Sequence, residues 1–147
     1  MGPLSSRRQA AKGMRVPRLE TVNPGWSRYE RYTFSPAVRK GNLLFISGLT
    51  ATDEDGNLVG EGDIVAQTRH IFGQIEEILR AADGSLDDVV KTVDYIVTTD
   101  GYRETAEVRR EMFPRGFPAA TGVVVKGLLR PGALIEIDAI AVLDSDG

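Results

Sequence analysis

The sequence predicts one α+β domain in which two helices cover one face of a mixed sheet, in the order ββαβαββ. The length of 147 residues fits a single domain. Two segments with helically spaced apolar residues alternate with short runs of β-branched and aromatic residues. The last apolar run has two unlike faces, as expected for a strand that packs under a helix on one side.

The first half of the domain is predicted to contain two strands and one helix. Residues 29–34 are aromatic, and residues 42–49 follow a turn-prone Lys-Gly-Asn segment, so both are predicted strands. We expect a helix over residues 63–82, with Asp63 as its N-cap and Gly84 near its end. The apolar stripe of this helix contains Ile64, Ile71, Phe72, Ile75, Ile78 and Leu79.

The second half is predicted to contain three strands and one helix. Residues 89–98 are β-branched and predict a strand. Residues 101–113 predict a helix with charged faces, which the following proline and glycine residues end. Strands are then predicted over residues 121–126 and 133–143, with an Arg-Pro-Gly turn between them.

The last predicted strand suggests that the chain forms an oligomer. One face carries Ile135, Ile137, Ala139 and Ala141. The other face carries Leu134, Glu136, Asp138, Ile140 and Val142. Because this second face mixes large aliphatic side chains with two carboxylates, it is unfavourable to leave in water. Packing against copies of the same chain would cover it.

Composition excludes several classes of function. The chain has no cysteine and one histidine, which rules out disulfides, thiolate nucleophiles and cysteine-based zinc sites and disfavours a Ser–His–Asp triad. No apolar run approaches the ~20 residues that span a bilayer. No apolar segment of the kind found in export signals follows Arg7 and Arg8. We therefore expect a cytoplasmic protein with no membrane association.

Charge is distributed unevenly along the chain. Residues 1–20 carry a net +4 in a chain whose total is −3, which leaves −7 for the remainder. We expect residues 1–24 to form a flexible basic arm and residues 25–147 to form the domain. An acidic body disfavours nucleic acid as a partner and ribonuclease as an activity.

Several segments, in the right order, resemble the Rid (YjgF) family. Residues 34–38 (FSPAV) and 41–48 (GNLLFISG) resemble its opening hairpin. Residues 85–92 (SLDDVVKT) resemble its helix-to-strand junction. Residues 117–120 (FPAA) and 134–141 (LIEIDAIA) resemble its closing pair of strands.

This resemblance, which extends over about residues 29–143, implies a chorismate-mutase-like fold and a homotrimer. The sheets would line a central barrel, with three clefts at the subunit interfaces. It also implies hydrolysis of reactive imines and enamines to a carbonyl compound and ammonia, with no metal and no organic cofactor.

The resemblance assigns the site residues incompletely. The pocket serine of the family falls on Ser47, and the glutamate that handles the attacking water falls on Glu136. The pocket tyrosine falls on Phe34, which lacks the hydroxyl. The asparagine of the second helix falls on Ala106.

The arginine that grips the substrate carboxylate in the best-studied branch of the family falls on Ala120. Charged hydrogen bonds of that kind contribute about 1.5–3 kcal/mol. Together with Phe34 and Gly122, Ala120 predicts a roomier, more apolar pocket and a substrate larger or less anionic than 2-iminopropanoate. Backbone N–H groups near Thr121 and Gly122 are expected to orient that substrate.

Alternatives remain at several of these positions. Arg109, Lys126 or Arg130 could replace the missing arginine, although surface charge also explains each of them. Glu136 could be a solvated or ion-paired acid instead of a proton carrier, and Asp138 is expected to be structural. The whole chain could also be a trimer that binds a small ligand without catalysis.

Weaker signals are assigned to structure instead of chemistry. His70 is expected to be a solvated histidine on the first helix. Residues 53–57 (DEDGN) predict a turn and not a calcium loop, because no distal glutamate follows at the required spacing.

Overall fold

The structure, a computed structural model, describes residues 19–144. Its strands are β1 (Glu20–Val22), β2 (Ala37–Lys40), β3 (Leu43–Leu49), β4 (Val89–Ile96), β5 (Ala119–Val124) and β6 (Ile135–Val142). Its α-helices are α1 (Ile64–Ala81) and α2 (Ala106–Met112), and single 3₁₀ turns occupy Ser27–Arg31, Leu86–Asp88 and Tyr102–Thr105. In the described part, neither α-helix is both long and apolar enough to cross a membrane.

The six strands form one mixed sheet in the order β1-β2-β3-β6-β4-β5. β4 and β5 are parallel, and the other neighbouring pairs are antiparallel. The predicted α+β class and the mixed sheet are therefore confirmed. β6, the last strand in the chain, lies between β3 and β4 near the middle of the sheet.

The two faces of β6 have the predicted characters. Ile135, Ile137 and Ala141 are fully buried on the face that packs under α1, and Ala139 is 2% exposed. The alternate residues, including Glu136, are only partly buried. Side chains of a strand alternate between the two faces of the sheet. Burial of Ile135, Ile137, Ala139 and Ala141 on one face therefore places Glu136 and Asp138 on the opposite face.

Helix α1 begins and ends as its sequence predicts. The Asp63 side chain accepts a hydrogen bond from the Ala66 N–H, which is the expected N-cap. At the other end, Asp83 takes a left-handed conformation and the Gly84 N–H donates to the Leu79 carbonyl. A Cβ on Gly84 would lie 2.6 Å from a methyl of Leu143, so a side chain there would require Leu143 to move.

The strand predicted over residues 29–34 is wrong. Ser27–Arg31 form a 3₁₀ turn, and the strand lies later, at Ala37–Lys40. The aromatic residues that suggested a strand pack on one another instead, with the rings of Tyr29 and Tyr32 edge-to-face at 5.0 Å. A cluster of this kind gathers side chains on one side, which the alternation of a strand does not allow.

The boundary of the predicted N-terminal arm also needs correction. Glu20–Val22 pair with β2 as an edge strand, so the arm does not extend to residue 24. Residues 1–18, which carry the basic cluster, lie outside the described residues. Two further differences are small: β5 begins at Ala119, and the first turn of the second predicted helix is a 3₁₀ turn.

A fully buried glutamine attaches the loop before β6 to α1. The Gln67 side chain donates to the carbonyls of Gly60 and Gly132 and accepts from the Leu134 N–H. These three hydrogen bonds are partly shielded from water and satisfy backbone groups that have no partner in a helix or a strand. The contact therefore holds the segment that leads into Glu136.

We expect Gln67→Leu to lower the free energy of unfolding by about 1–3 kcal/mol, because three backbone groups lose their hydrogen-bond partner at a buried position. Urea denaturation at a fixed protein concentration measures this loss. Arg80→Gln, on the exposed side of the same helix, is the control and should change stability by less than about 0.5 kcal/mol. Equal stabilities of the two variants would contradict the role assigned to Gln67.

Candidate active site

An open cleft of about 610 Å³ lies beside the end of β3 and the loop before β6. Its walls include Tyr32, Phe34, Ser47, Gly48, Arg130 and Glu136. The structure thus brings together three of the predicted site residues: Glu136, Ser47 and Phe34.

A β-bulge shapes the floor of this cleft. Ile46 pairs with Ala139 and Leu49 pairs with Ile137, so β3 carries one extra residue between these pairs. The bulge breaks the alternation of side chains at Ser47. The Ser47 hydroxyl donates to the Ser35 carbonyl at 2.6 Å, which leaves its oxygen lone pairs as acceptors.

The Glu136 carboxylate lies directly against the backbone of Gly48. A Cβ at position 48 would overlap Oε2 of Glu136 and lie 3.0 Å from its carboxyl carbon. Real Cβ atoms do not approach this closely, so only glycine leaves room for the carboxylate in its observed position. Gly48 therefore has a steric function in the site that the sequence analysis did not recognise.

The environment of Glu136 favours its protonated form. Burial raises the pKa of the Glu136 carboxyl, and the negative charge of Asp138 raises it further. The side chain is half-buried, and no group in residues 19–144 donates a hydrogen bond to it. A carboxylate in this state is available to a water molecule or a substrate.

Asp138, on the same face of β6, has a different environment. Its carboxylate accepts a hydrogen bond from the Tyr95 hydroxyl at 3.0 Å, and Tyr95 is the β4 neighbour of Glu136 in the sheet. Asp138 is therefore held by a neighbouring side chain, whereas Glu136 is not.

The remaining predicted site residues lie elsewhere in the chain. Ala120, Thr121 and Gly122 are exposed on β5, which β4 separates from β6. Ala120 lines a second, apolar pocket of about 290 Å³ that also includes Ala106. One chain therefore contains two separate groups of the predicted site residues.

The three candidates for the missing arginine differ in their contacts. Arg109 forms an ion pair with the buried Asp94, and the Tyr102 hydroxyl donates to the same carboxylate at 2.6 Å. Burial, followed by this hydrogen bond, raises the pKa of Tyr102 to about 12. Arg109 thus already has a carboxylate partner within the domain. Lys126 is exposed on the loop after β5, and Arg130 lies in the cleft with Glu136.

Tyr32 is a cleft residue that the sequence analysis missed. It brings a phenol into the same cleft as Phe34, where the resemblance leaves a hydroxyl missing. Its signal in the sequence is the spacing of the aromatic residues in residues 29–34 (YERYTF), a pattern that also predicts a strand.

Two of the weaker sequence signals are settled by contacts. His70 is not a freely solvated histidine, because it is half-buried and its Nε2 lies 2.6 Å from the Thr52 carbonyl oxygen. The turn at residues 53–57 is confirmed: the Asp53 side chain accepts from the N–H groups of Asp55 and Asn57. Within the described range, no group of three or more His, Cys, Asp or Glu residues could hold a metal ion.

Comparison with known proteins places this chain and its fold in one class. The family described as Endoribonuclease L-PSP matches residues 28–143. The chain is 41% identical over 110 residues to 3-aminoacrylate deaminase RutC of Acinetobacter baylyi, covering 74% of this chain and 85% of that protein. It is 39% identical over 108 residues to RutC family protein PH0854 of Pyrococcus horikoshii, covering 74% and 85%.

Solved structures of similar proteins belong to the same class. Rv2704 of Mycobacterium tuberculosis, a member of the YjgF/YER057c/UK114 family, superposes with a TM-score of 0.72 at 34% identity, over 85% of this chain and 99% of that one. RidA of an Antarctic Psychrobacter superposes with a TM-score of 0.71 at 32% identity, over 77% and 90%. The chain belongs to the Rid (YjgF) family, as its motifs predict.

The raised pKa of Glu136 has a consequence for stability. The folded chain binds this proton more tightly than the unfolded chain, so the stabilisation is fully present below about pH 4.5 and is lost as the pH rises through the raised pKa. We expect Glu136→Gln to match the wild type at about pH 4 and to be more stable at about pH 8. The gain should not exceed about 1 kcal/mol, because solvent screens a half-exposed carboxylate.

Urea denaturation at both pH values, at one protein concentration, measures this difference. Glu107→Gln, which removes an exposed carboxylate from α2, is the matched control and should show no such dependence on pH. An effect of Glu136→Gln that is the same at both pH values would contradict the assignment.

Proposed function

We propose that the protein hydrolyses reactive enamines or imines to a carbonyl compound and ammonia, with Glu136 as the general base. The observation that carries this proposal is a half-buried carboxylate, with its pKa raised by burial, in an open cleft. The name of the relative from Acinetobacter baylyi, a 3-aminoacrylate deaminase, supports the reaction class.

The proposed reaction needs only water and one proton carrier. Glu136 takes a proton from water as the oxygen bonds to the carbon of the C=N group, and then gives that proton to the nitrogen. Glu136 then transfers the hydroxyl proton of the resulting carbinolamine to its amino group. The C–N bond breaks, ammonia leaves and the hydroxyl oxygen becomes the carbonyl. An enamine first takes a proton on carbon to become an imine. A carboxyl group whose pKa is raised towards neutrality is suited to both transfers.

We further propose that the working unit is a homotrimer whose clefts lie between subunits. β5 of one subunit would face Glu136 of another, which would join the two groups of site residues that lie apart in a single chain. Exposed apolar residues on the open face of the sheet, Leu43 and Phe45 among them, support such an interface. Sedimentation equilibrium measures the number of subunits.

Substrate choice is proposed to follow from Ala120. An alanine there offers no cation to a substrate carboxylate, which disfavours small 2-imino acids such as 2-iminopropanoate. The pocket beside Ala120 presents mainly apolar surface, including Phe113 and Phe117, which favours a larger substrate. Of the two arginines that also line it, Arg109 is already paired with Asp94 and Arg110 is exposed.

The first test removes the proposed general base, Glu136, and measures the rate of hydrolysis. We expect Glu136→Gln to lower the rate of ammonia release from enzymatically generated imines by about 10²–10⁴-fold, the usual contribution of a general base. Glu76→Gln removes an exposed carboxylate from α1, outside the cleft, and should keep the activity. An unchanged rate for Glu136→Gln would refute the mechanism. Binding of a stable carboxylic acid without turnover by the wild type would favour a ligand-binding trimer instead.

A second test restores the missing cation. We expect Ala120→Arg to raise kcat/KM for 2-iminopropanoate by about 10–100-fold, because a charged hydrogen bond to the carboxylate contributes about 1.5–3 kcal/mol. Ala120→Leu controls for the added bulk and should give no gain. Equal values for the two variants would show that position 120 does not face the substrate.

A further inference from the structure

Two aromatic rings stack on each other within the Glu136 cleft. Tyr32 and Phe34 stack with their ring centroids 5.3 Å apart and their planes within 8° of parallel. Both rings line the cleft, yet Tyr32 is 36% exposed and Phe34 is 54% exposed. Large apolar rings that remain exposed beside a candidate catalytic group mark a binding surface.

The surrounding residues hold this stacked pair in place. Tyr29 packs edge-to-face against Tyr32 at 5.0 Å and against Phe34 at 5.6 Å. Trp26 lies 5.8 Å behind Tyr29, and its indole N–H donates to Glu77 on α1 at 3.0 Å. The pair is therefore supported from the body of the domain, and little conformational freedom is lost when a ligand stacks on it.

The aromatic cluster also lies within electrostatic reach of the carboxylate. Burial raises the pKa of Tyr29, and the charge of Glu136 contributes to that rise. A ligand that stacks on Phe34 or Tyr32 thus lies in the same cleft as the proposed base.

We infer that the substrates are imines or enamines whose C=N or C=C–N group is conjugated with an aromatic ring or an extended planar π system. This inference rests on the proposed function and names the substrate class of the same cleft. A conjugated substrate is planar through the reacting carbon, so one flat surface can bind the ring and orient the reacting group. Ring-on-ring contacts favour aromatic over saturated groups by about two- to tenfold per pair.

The experiment compares two substrates that differ only in this property. Imines of phenylglycine and cyclohexylglycine, generated in place by an amino-acid oxidase, have similar size and the same carboxylate. We expect wild-type kcat/KM to be about tenfold higher for the phenyl compound. In the Tyr32→Leu/Phe34→Leu double variant that ratio should fall close to one. A wild-type ratio near one, or an unchanged ratio in the double variant, would overturn the inference.

A binding measurement separates this inference from the proposed function. Phenylglyoxylate and cyclohexylglyoxylate, the stable products, are titrated onto Glu136→Gln by calorimetry, which needs no turnover. Tighter binding of the phenyl compound supports the aromatic surface even if no imine is hydrolysed. Equal affinities, with active wild-type enzyme, would overturn the inference and leave the proposed function standing. If the double variant changes subunit association and leaves the affinity ratio intact, the rings form an interface and the inference fails.

Discussion

The candidate site depends on the close contact between the Glu136 carboxylate and the backbone of Gly48. Glu136 lies on β6, whose neighbours on both sides, β3 and β4, fix its position in the sheet. The bulge at the end of β3 and the absence of a side chain at Gly48 create the space that the carboxylate occupies. A larger residue at position 48 would overlap the Glu136 carboxylate and displace it from its observed position.

This position also explains the chemistry that we assign to the carboxylate. Partial removal from water raises its pKa, and the nearby Asp138, held by Tyr95, adds to that effect. The ionised Glu136 carboxylate therefore lowers the stability of the folded chain slightly near neutral pH. The same carboxyl group can exchange a proton with water inside a cleft that has an aromatic wall.

The spacing of apolar residues predicted those helices and strands whose form depends mainly on neighbours in the sequence. Helix α1 and the two faces of β6 follow from periodicity, and both are found as expected. The aromatic segment before β2 was misread because packing among its rings overrides strand propensity. Tyr32 was missed with it, and the steric requirement at Gly48 is visible only when β3 lies beside β6. The group around Ala120 lies on β5, which β4 separates from Glu136 on β6 in one chain. The proposed trimer would bring the two groups together.

The most direct test of this account is to follow the titration of Glu136 and the reaction together. Carbon-13 NMR of labelled glutamate, with Glu136→Gln for assignment, reports the pKa of this carboxyl in the assembled protein. We expect its midpoint to lie above the ordinary value of 4.5 and to coincide with the pH at which kcat/KM for imine hydrolysis rises to half its maximum. A midpoint at or below 4.5, or a rate that does not follow the titration, would contradict the central claim.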